Sequence, residues 1–459
     1  MQTLWFIILI SAICLEGLGR RYLPGIPPVA FYFFKDVVLL VGYLRFRPAA
    51  PIRRTMRYLF RGFEVFWIGG FFWTTIELFN PAHQSFVLGL IGMRAYWFWW
   101  LAPAVIAGVL QNRKQKERAI YALLTMAIGV AVLAAVQFAS PADSNINLYS
   151  IQDGEEVYAA DMATVASTGR ARVSSTFTFL SGFVAFTLAV PALLLSLGLD
   201  SQNPRLRKLA LAATLATAAV IPMSGSRGAV VLGAAVLLLT MWTAGLLFTR
   251  VGRRVLMGAI VAVVLSVIAF PDALLGVQSR FDNAEETAGR FKEVANLIPP
   301  VALIALDYPM LGIGTGMQQN GRSSFRISTN WDTESELGRY LVELGPIGFL
   351  FCWMAKFGLM VALLRSYSIL KRAGRRGSSG AALSYAAMTM VGNLTFDHNW
   401  QALYFMGCGF VLAEVVDVLR GTVPAATGFA LPVPPRPEIP SPALGGLAQR
   451  ADEPASNMT

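Results

Sequence analysis

Thiols, imidazoles and paired carboxylates are scarce in this chain, and each shortage closes a class of chemistry. Only three of the 459 residues are cysteine. Cys14, Cys352 and Cys408 all fall inside apolar runs, so no loop thiol is left for a disulfide framework or a zinc site. No Asp-x-Asp pair occurs, and Asp153, Glu155 and Glu156 read as solvated loop acids, so catalysis by a bound divalent metal lacks a ligand set. Neither a metal nor another cofactor is expected. A Gly-x-Ser-x-Gly nucleophile elbow is missing as well, because position 224 is serine where glycine is needed. The stretch from Asp307 to Gly316 is glycine-rich but lacks the Lys-Ser/Thr ending of a nucleotide loop. No repeat of solenoid period is found.

The chain has apolar length instead. Hydrophobic residues make up 55% of the positions against 14% charged, and they come in long runs without amphipathic spacing. That pattern defines an all-α, polytopic membrane protein. The runs predict twelve membrane helices, near 1–18, 29–45, 60–79, 92–110, 117–139, 174–198, 206–223, 228–248, 254–270, 339–364, 380–396 and 400–419. Arg20 and Arg21 follow the first run where a signal peptide would have small residues, so it is read as a retained helix. Basic clusters follow the even-numbered helices, as at Arg113, Lys114 and Lys116, at Arg205, Arg207 and Lys208, and at Lys371 and Arg372. By the positive-inside bias these loops and both termini are cytoplasmic. The net charge of +11 is then a topology signal, and with no soluble face to carry a basic patch, nucleic acid is excluded as a partner. The long connections 140–173 and 271–338 lie outside, the second with a surface helix expected over 280–299. Residues 1–420 form one membrane domain, and the proline-rich 421–459 form a disordered cytoplasmic tail.

On this topology the outer helix ends collect Lys35, Asp36, Glu77, Arg94, Arg172, Arg227, Glu334, Glu336, Arg339, Asp397 and His398. Charge at that depth is tolerated in a buried cavity, so these residues are expected to converge on one. Arg172 opens Arg-Val-Ser-Ser-Thr-Phe (172–177), expected to enter the sixth helix with the Ser174 and Ser175 hydroxyls beside it. Ser-Gly-Ser-Arg-Gly (224–228) repeats that chemistry with Ser224, Ser226 and Arg227 before the eighth. A guanidinium beside hydroxyls and free helix-start N–H groups suits a phosphate. The competing reading makes the hydroxyls ordinary helix caps. Glu334 reads either as a catalytic carboxylate or, together with Glu336, as part of a charged first turn in which Glu336 pairs with Arg339. Of the two histidines, His83 reads as solvated. His398, beside Asp397 in a tight outer turn, is either a base or a structural hydrogen-bonding group.

Those two arginine motifs, together with Pro309-Met-Leu-Gly-Ile-Gly-Thr-Gly316 and Glu343-Leu-Gly-Pro-Ile-Gly348, stand in an order and topology that resemble the bacterial O-antigen polymerase and ligase family over roughly residues 30–420. The resemblance implies a multi-pass protein of the bacterial inner membrane. It implies a metal-independent glycosyltransferase working on the periplasmic face, with a lipid-linked oligosaccharide donor, a glycan acceptor, and polysaccharide-assembly proteins as partners beside the membrane lipid. Arg172 and Arg227 match the arginine motifs that grip an isoprenoid diphosphate. Arg94, Arg290 and Arg339 are further candidates for substrate binding, with Glu336 and the four serines. Where the ligase branch has histidine ahead of the tenth helix, this chain has Glu334, which favours polymerisation of O-antigen or exopolysaccharide units over transfer to lipid A-core. Glu334 is then the expected base and His398 the alternative.

A polysaccharide or lipid flippase is the rival class, marked by broken helices and polar pairs near the midplane. A non-enzymatic assembly partner is a second. Reporter fusions after residues 208 and 374 are expected to behave as cytoplasmic, and fusions near 150 and 310 as periplasmic. A cytoplasmic reporter at 310 would overturn the topology and the outer site together.

Overall fold

The computed structural model describes residues 1–23, 25–152, 155–162, 164, 169–245, 247, 250–273, 275, 278, 308–319, 331, 335–392, 394–395 and 397–421. The expected surface helix over 280–299, Arg290, Glu334 and the tail beyond 421 lie outside these residues. The described chain is a helical membrane bundle. In order it forms α1 Gln2–Cys14, α2 Glu16–Tyr22, α3 Pro28–Arg45, α4 Ala50–Phe60, α5 Glu64–Ile76, α6 Phe86–Trp97, α7 Ala102–Val109 and α8 Arg113–Ala139. A small antiparallel hairpin of β1 Leu148–Gln152 and β2 Glu155–Tyr158 follows, then the single turn α9 Ala159–Met162. The rest is α10 Leu180–Asp200, α11 Pro204–Val220, α12 Arg227–Thr243, α13 Arg250–Ala269, α14 Glu336–Arg372, α15 Arg376–Val391 and α16 His398–Leu419.

Local chemistry sets several of the boundaries. Asn112 and Gln115 form a reciprocal capping box at the start of α8. Asn203 caps α11 and Pro204 occupies its first position. Asp397 caps α16, accepting from the backbone N–H groups of Asn399 at 2.8 Å and Trp400 at 3.0 Å. α10 and α16 are buried along most of their length. They pack on each other, with α10 also against α11, α12 and α15, and α16 against α7. Val37, Val41, Leu44, Val132, Val136, Val261 and Leu265 are exposed on the periphery, an arrangement stable only in contact with lipid tails.

Among the described residues six helical stretches are long and apolar enough to cross a membrane, and the α1–α2 pair, bent by 62°, makes a seventh if taken as one span. The remaining apolar runs are helical but do not reach that standard. α3 carries Lys35, Asp36 and Arg45 in 18 residues, α5, α12 and α15 have 13, 17 and 16 residues, and the apolar part of α13 is Leu256–Ala269. The 30 Å hydrocarbon core needs about 20 residues of helix.

The ends of the bundle differ. At one, Lys116 of α8 bridges Glu414 at 2.6 Å and Asp417 at 2.5 Å in α16. There too Asp200, closing α10, accepts from the N–H groups of Gly377 and Ser378 at the start of α15 at 2.8 and 2.7 Å. Gln2 reaches Gln115 at the same end. The opposite end gathers Arg170 on Asp272 at 3.1 Å and the backbone bond from Val173 to Met223 at 3.3 Å. The basic connections and the segments leading to the long ones therefore sit at opposite ends.

Three local expectations are corrected. Residues 50–60, read as a basic connection, form α4, because Ile52, Thr55 and Leu59 recur at helical spacing and are buried. α10 starts at Leu180, so 174–179 precede the helix. The tenth apolar run is not one straight rod: α14 breaks at Gly345, whose φ of 64° and ψ of −178° are non-helical. Glu336 and Lys356 are ion-paired across that break, although 20 residues of straight helix would hold them about 30 Å apart. Glu336–Leu344 therefore folds back along the start of Pro346–Arg372, and every residue of it is buried. The Trp73 indole donates to the Leu344 carbonyl at 2.9 Å, and the N–H groups of Ile313 and Gly314 donate to the carbonyls of Val342 and Glu343 at 2.9 and 3.0 Å. These bonds satisfy carbonyls at a buried helix end.

A Cβ at Gly345 would lie 2.4 Å from the Met310 carbonyl oxygen and would force a side chain into φ 64°. Gly345→Ala is expected to cost at least about 2 kcal/mol. The thermal midpoint of the detergent-solubilised protein should fall by several degrees, and an unchanged midpoint would show that the reversal does not depend on this glycine.

Candidate functional site

The structure brings the two arginine motifs together. Arg172 Nε donates to the Ser224 carbonyl at 3.2 Å, and both Arg172 and Arg227 are half-buried. Ser226 caps α12, accepting from the Ala229 N–H at 3.3 Å, and Ser224 Oγ donates to the Ile221 carbonyl at 2.8 Å. Gly225 turns the chain in the left-handed region at φ 60°. The helix-start anion site expected at 174–176 does not form. This segment is a turn, with Ser175 at φ 50°, and the polar groups of Ser174 and Ser175 are taken up by the protein. Ser175 N–H donates to Gln137 Oε1 at 2.8 Å and Ser175 Oγ to the Val130 carbonyl at 2.8 Å. Ser174 Oγ accepts from Arg21 Nη2 at 2.6 Å.

Arg21 is the residue that the sequence did not single out here. It is buried, donates to the Ser175 carbonyl at 2.9 Å and to the Phe177 carbonyl, and faces the Tyr149 ring at 5.6 Å. Burial in that contact pushes the Tyr149 hydroxyl above its ordinary range, against the pull of Arg21. β1 of the 140–173 connection is thereby pinned to α2.

A polar seam continues from this turn. Lys35 is ion-paired with Glu16 and donates to Asn399 Oδ1 at 2.9 Å. One residue on, Asp36 accepts from Arg94 Nε at 2.5 Å. The Arg94 guanidinium lies over the Tyr32 ring at 4.4 Å, and Tyr32 Oη is 2.6 Å from His398 Nε2. The Arg94 side chain is nine-tenths buried, and its Nη1 and Nη2 make no hydrogen bond among the described residues. The guanidinium is thus fixed by a carboxylate and two aromatic faces, with Nη1 and Nη2 enclosed by the protein.

The buried helix Glu336–Leu344 supplies the third part. Glu336, paired with Lys356, accepts from Thr395 N at 2.8 Å and Thr395 Oγ1 at 3.1 Å. Arg339 donates to Glu343 at 3.1 Å and to the Thr395 carbonyl at 2.6 Å. The Glu336–Arg339 pairing of the charged-first-turn reading does not form: the reversal at Gly345 brings Lys356 alongside Glu336, and Arg339 pairs one turn on with Glu343. Glu343 also accepts from Tyr96 Oη at 2.9 Å and from the N–H groups of Gly316 at 2.9 Å and Gln318 at 2.7 Å. The glycine-rich turn that resembles a phosphate loop therefore cradles the protein's own carboxylate. His83, expected in solvent, is half-buried against that turn, 2.8 Å from the Thr315 carbonyl.

Depth is a further correction. Lys35 and Asp36 lie in the middle of α3, not at its end. The 16 residues of α15 rise about 24 Å from the basic end, and Lys356, 16 residues before Arg372, stands at the same height. The α15–α16 turn carrying His398 is therefore recessed below the level of Gly345 by about 16 Å. A small cavity lined by Tyr96, Tyr340, Lys356, Thr395 and Gln401 lies beside it. Lys356, Glu343, Tyr96 and Tyr32 join the site by folding alone. Of these, Lys356 had a sequence signal, a lone charge within an apolar run.

No protein-family model matches the chain, and no curated protein matches it significantly.

Lys356→Met leaves the Glu336 carboxylate buried without its counter-charge and is expected to destabilise by about 3–5 kcal/mol. Glu336→Gln combined with Lys356→Met should recover most of that loss. Thermal unfolding of the four species gives the coupling directly, and additive losses would dissolve the pair as a unit.

Proposed function

We propose that the chain is a metal-independent glycosyltransferase that elongates a glycan carried on an isoprenoid diphosphate, on the periplasmic face of a bacterial inner membrane. The observation that carries the reading is the convergence of Arg172 and Arg227 on the Ser224–Ser226 turn, at the end of the bundle opposite the basic connections. Two half-buried guanidiniums on a rigid turn suit a diphosphate, whose charge grows as the glycosidic oxygen departs. Arg94, held by Asp36, is a further proposed contact. In the transfer a base takes the acceptor hydroxyl proton, the acceptor oxygen bonds the anomeric carbon, and the lipid diphosphate leaves. Glu334 is the proposed base on the family resemblance. His398, half-buried on Tyr32, is the alternative among the described residues. Twelve crossings belong to the same proposal, with the six shorter, bent or charge-bearing helical runs completing the span count.

A flippase is the second reading, favoured by the break in α14 and the buried Glu336–Lys356 pair at mid-height, both features of transporter cores. Proteoliposomes loaded with lipid-linked glycan separate the two. Polymerisation lengthens the glycan and releases diphosphate lipid, whereas flipping moves the intact donor across the bilayer.

Arg227→Lys and Arg172→Lys are expected to abolish most turnover at matched membrane levels, since an ammonium cannot reproduce a planar fork. Glu334→Gln should lower transfer by roughly 100-fold or more with donor binding retained. Normal transfer by Glu334→Gln beside an inactive, correctly inserted His398→Asn would move the base to α16. Wild-type product from both lysine variants would remove the diphosphate grip.

A further inference from the structure

Between Asp36 and Glu64 the chain has six arginines, Arg45, Arg47, Arg53, Arg54, Arg57 and Arg61, and no acidic residue. Folding sorts this segment into two faces. Ile52 and Leu59 of α4 join the main core, while Arg53, Arg54 and Arg57 are exposed on the other side of the helix. The position of α4 is fixed, since Arg365 Nη1 donates to the carbonyls of Leu59 at 2.6 Å and Arg61 at 3.0 Å. Among the described residues none of the six arginines has a carboxylate partner. Glu64, the nearest acid in sequence, is occupied by the Gly62 N–H at 2.8 Å.

The helix feeding this patch shows what lies against it. α3 exposes Val37, Leu40, Val41 and Leu44 in succession, then turns basic at Arg45 and Arg47, all exposed. Apolar side chains followed at once by arginines match the passage from lipid tails to headgroups, and exposed Tyr43 and Tyr58 stand at that boundary. Exposed guanidiniums without acids at headgroup level pair with phosphate diesters, which they meet as planar forks.

We propose that the arginine face of α4, with Arg45 and Arg47, is a binding surface for anionic phospholipid headgroups. It rests on the membrane character of the bundle and is independent of glycan transfer.

The test uses the full chain, delipidated in neutral detergent, with short-chain phosphatidylglycerol and the phosphatidylcholine of the same tails as probes. Phosphatidylglycerol should raise the thermal midpoint by at least about 3 °C more than phosphatidylcholine does, and that increment should collapse in 0.5 M salt, where the Debye length is roughly 4–5 Å. In the triple variant Arg53→Gln, Arg54→Gln, Arg57→Gln the increment should fall below half with the phosphatidylcholine response unchanged. Should that variant misfold, the lysine triple replaces it, with a reduced and still salt-sensitive increment expected. Equal responses to the two lipids, or a full increment in the folded glutamine variant, overturn the proposal. An equal shift from inorganic phosphate also overturns it, by making the patch a free-anion site.

Discussion

A charge carried into a low-dielectric bundle must meet its opposite there, because an ion left unpaired costs several kcal/mol. Four buried acids each meet a buried base: Glu16, which reaches Arg20 at 3.7 Å as well, with Lys35, Asp36 with Arg94, Glu336 with Lys356, and Glu343 with Arg339. Of these four buried pairs only the last is an i,i+4 pair on one helix segment. The others join α2 to α3, α3 to α6, and the two limbs of α14, so the requirement for neutrality acts as a set of cross-links. The α15–α16 turn is held by the same residues through Thr395 and Asn399. Its histidine is consequently placed by electrostatics originating two helices away.

The glycine-rich turn at 308–319 shows the same constraint acting on backbone. Gly316 fits because its φ is 88° and a Cβ would lie 2.3 Å from the Leu88 carbonyl oxygen. That approach aims the N–H groups of Gly316 and Gln318 at one carboxylate, Glu343. Backbone donors arranged in this way bind anions in many proteins. Here the anion is internal, and the turn, by capping the buried limb of α14, ties the long connection to the core.

The two ends of the bundle use arginine in opposite ways. At the basic end the guanidiniums of α4 are exposed and clear of acids, that of Arg53 resting on the Pro48 carbonyl at 2.9 Å. At the other end Arg21 and Arg172, and deeper in the bundle Arg94, are each oriented by a carbonyl, a hydroxyl or a carboxylate. An oriented, partly dehydrated guanidinium needs little reorganisation when charge develops beside it. A solvated one contributes long-range attraction that salt screens. This polarity is the physical basis for seeking lipid at the basic end and chemistry away from it.

The helical class, the membrane setting and the basic end were legible in sequence because they depend on sums: apolar length and the placement of arginine between runs. Arg172 and Arg227 were legible as motifs because each stands beside hydroxyls in a short polar stretch. Where a side chain ends up was not legible. Whether Glu336 meets Arg339 three residues on or Lys356 twenty residues on depends on one backbone reversal, at Gly345, and a helical period carries no sign of it. Arg21 read only as a sign that the first apolar run is retained, and it became the clamp of the 174–177 turn, since its partners are carbonyls more than 150 residues distant. The sequence by itself determined which residues are too costly to leave in lipid. Tertiary structure decided which of them meet, because compensation of charge is a matter of distance in space and not of spacing along the chain.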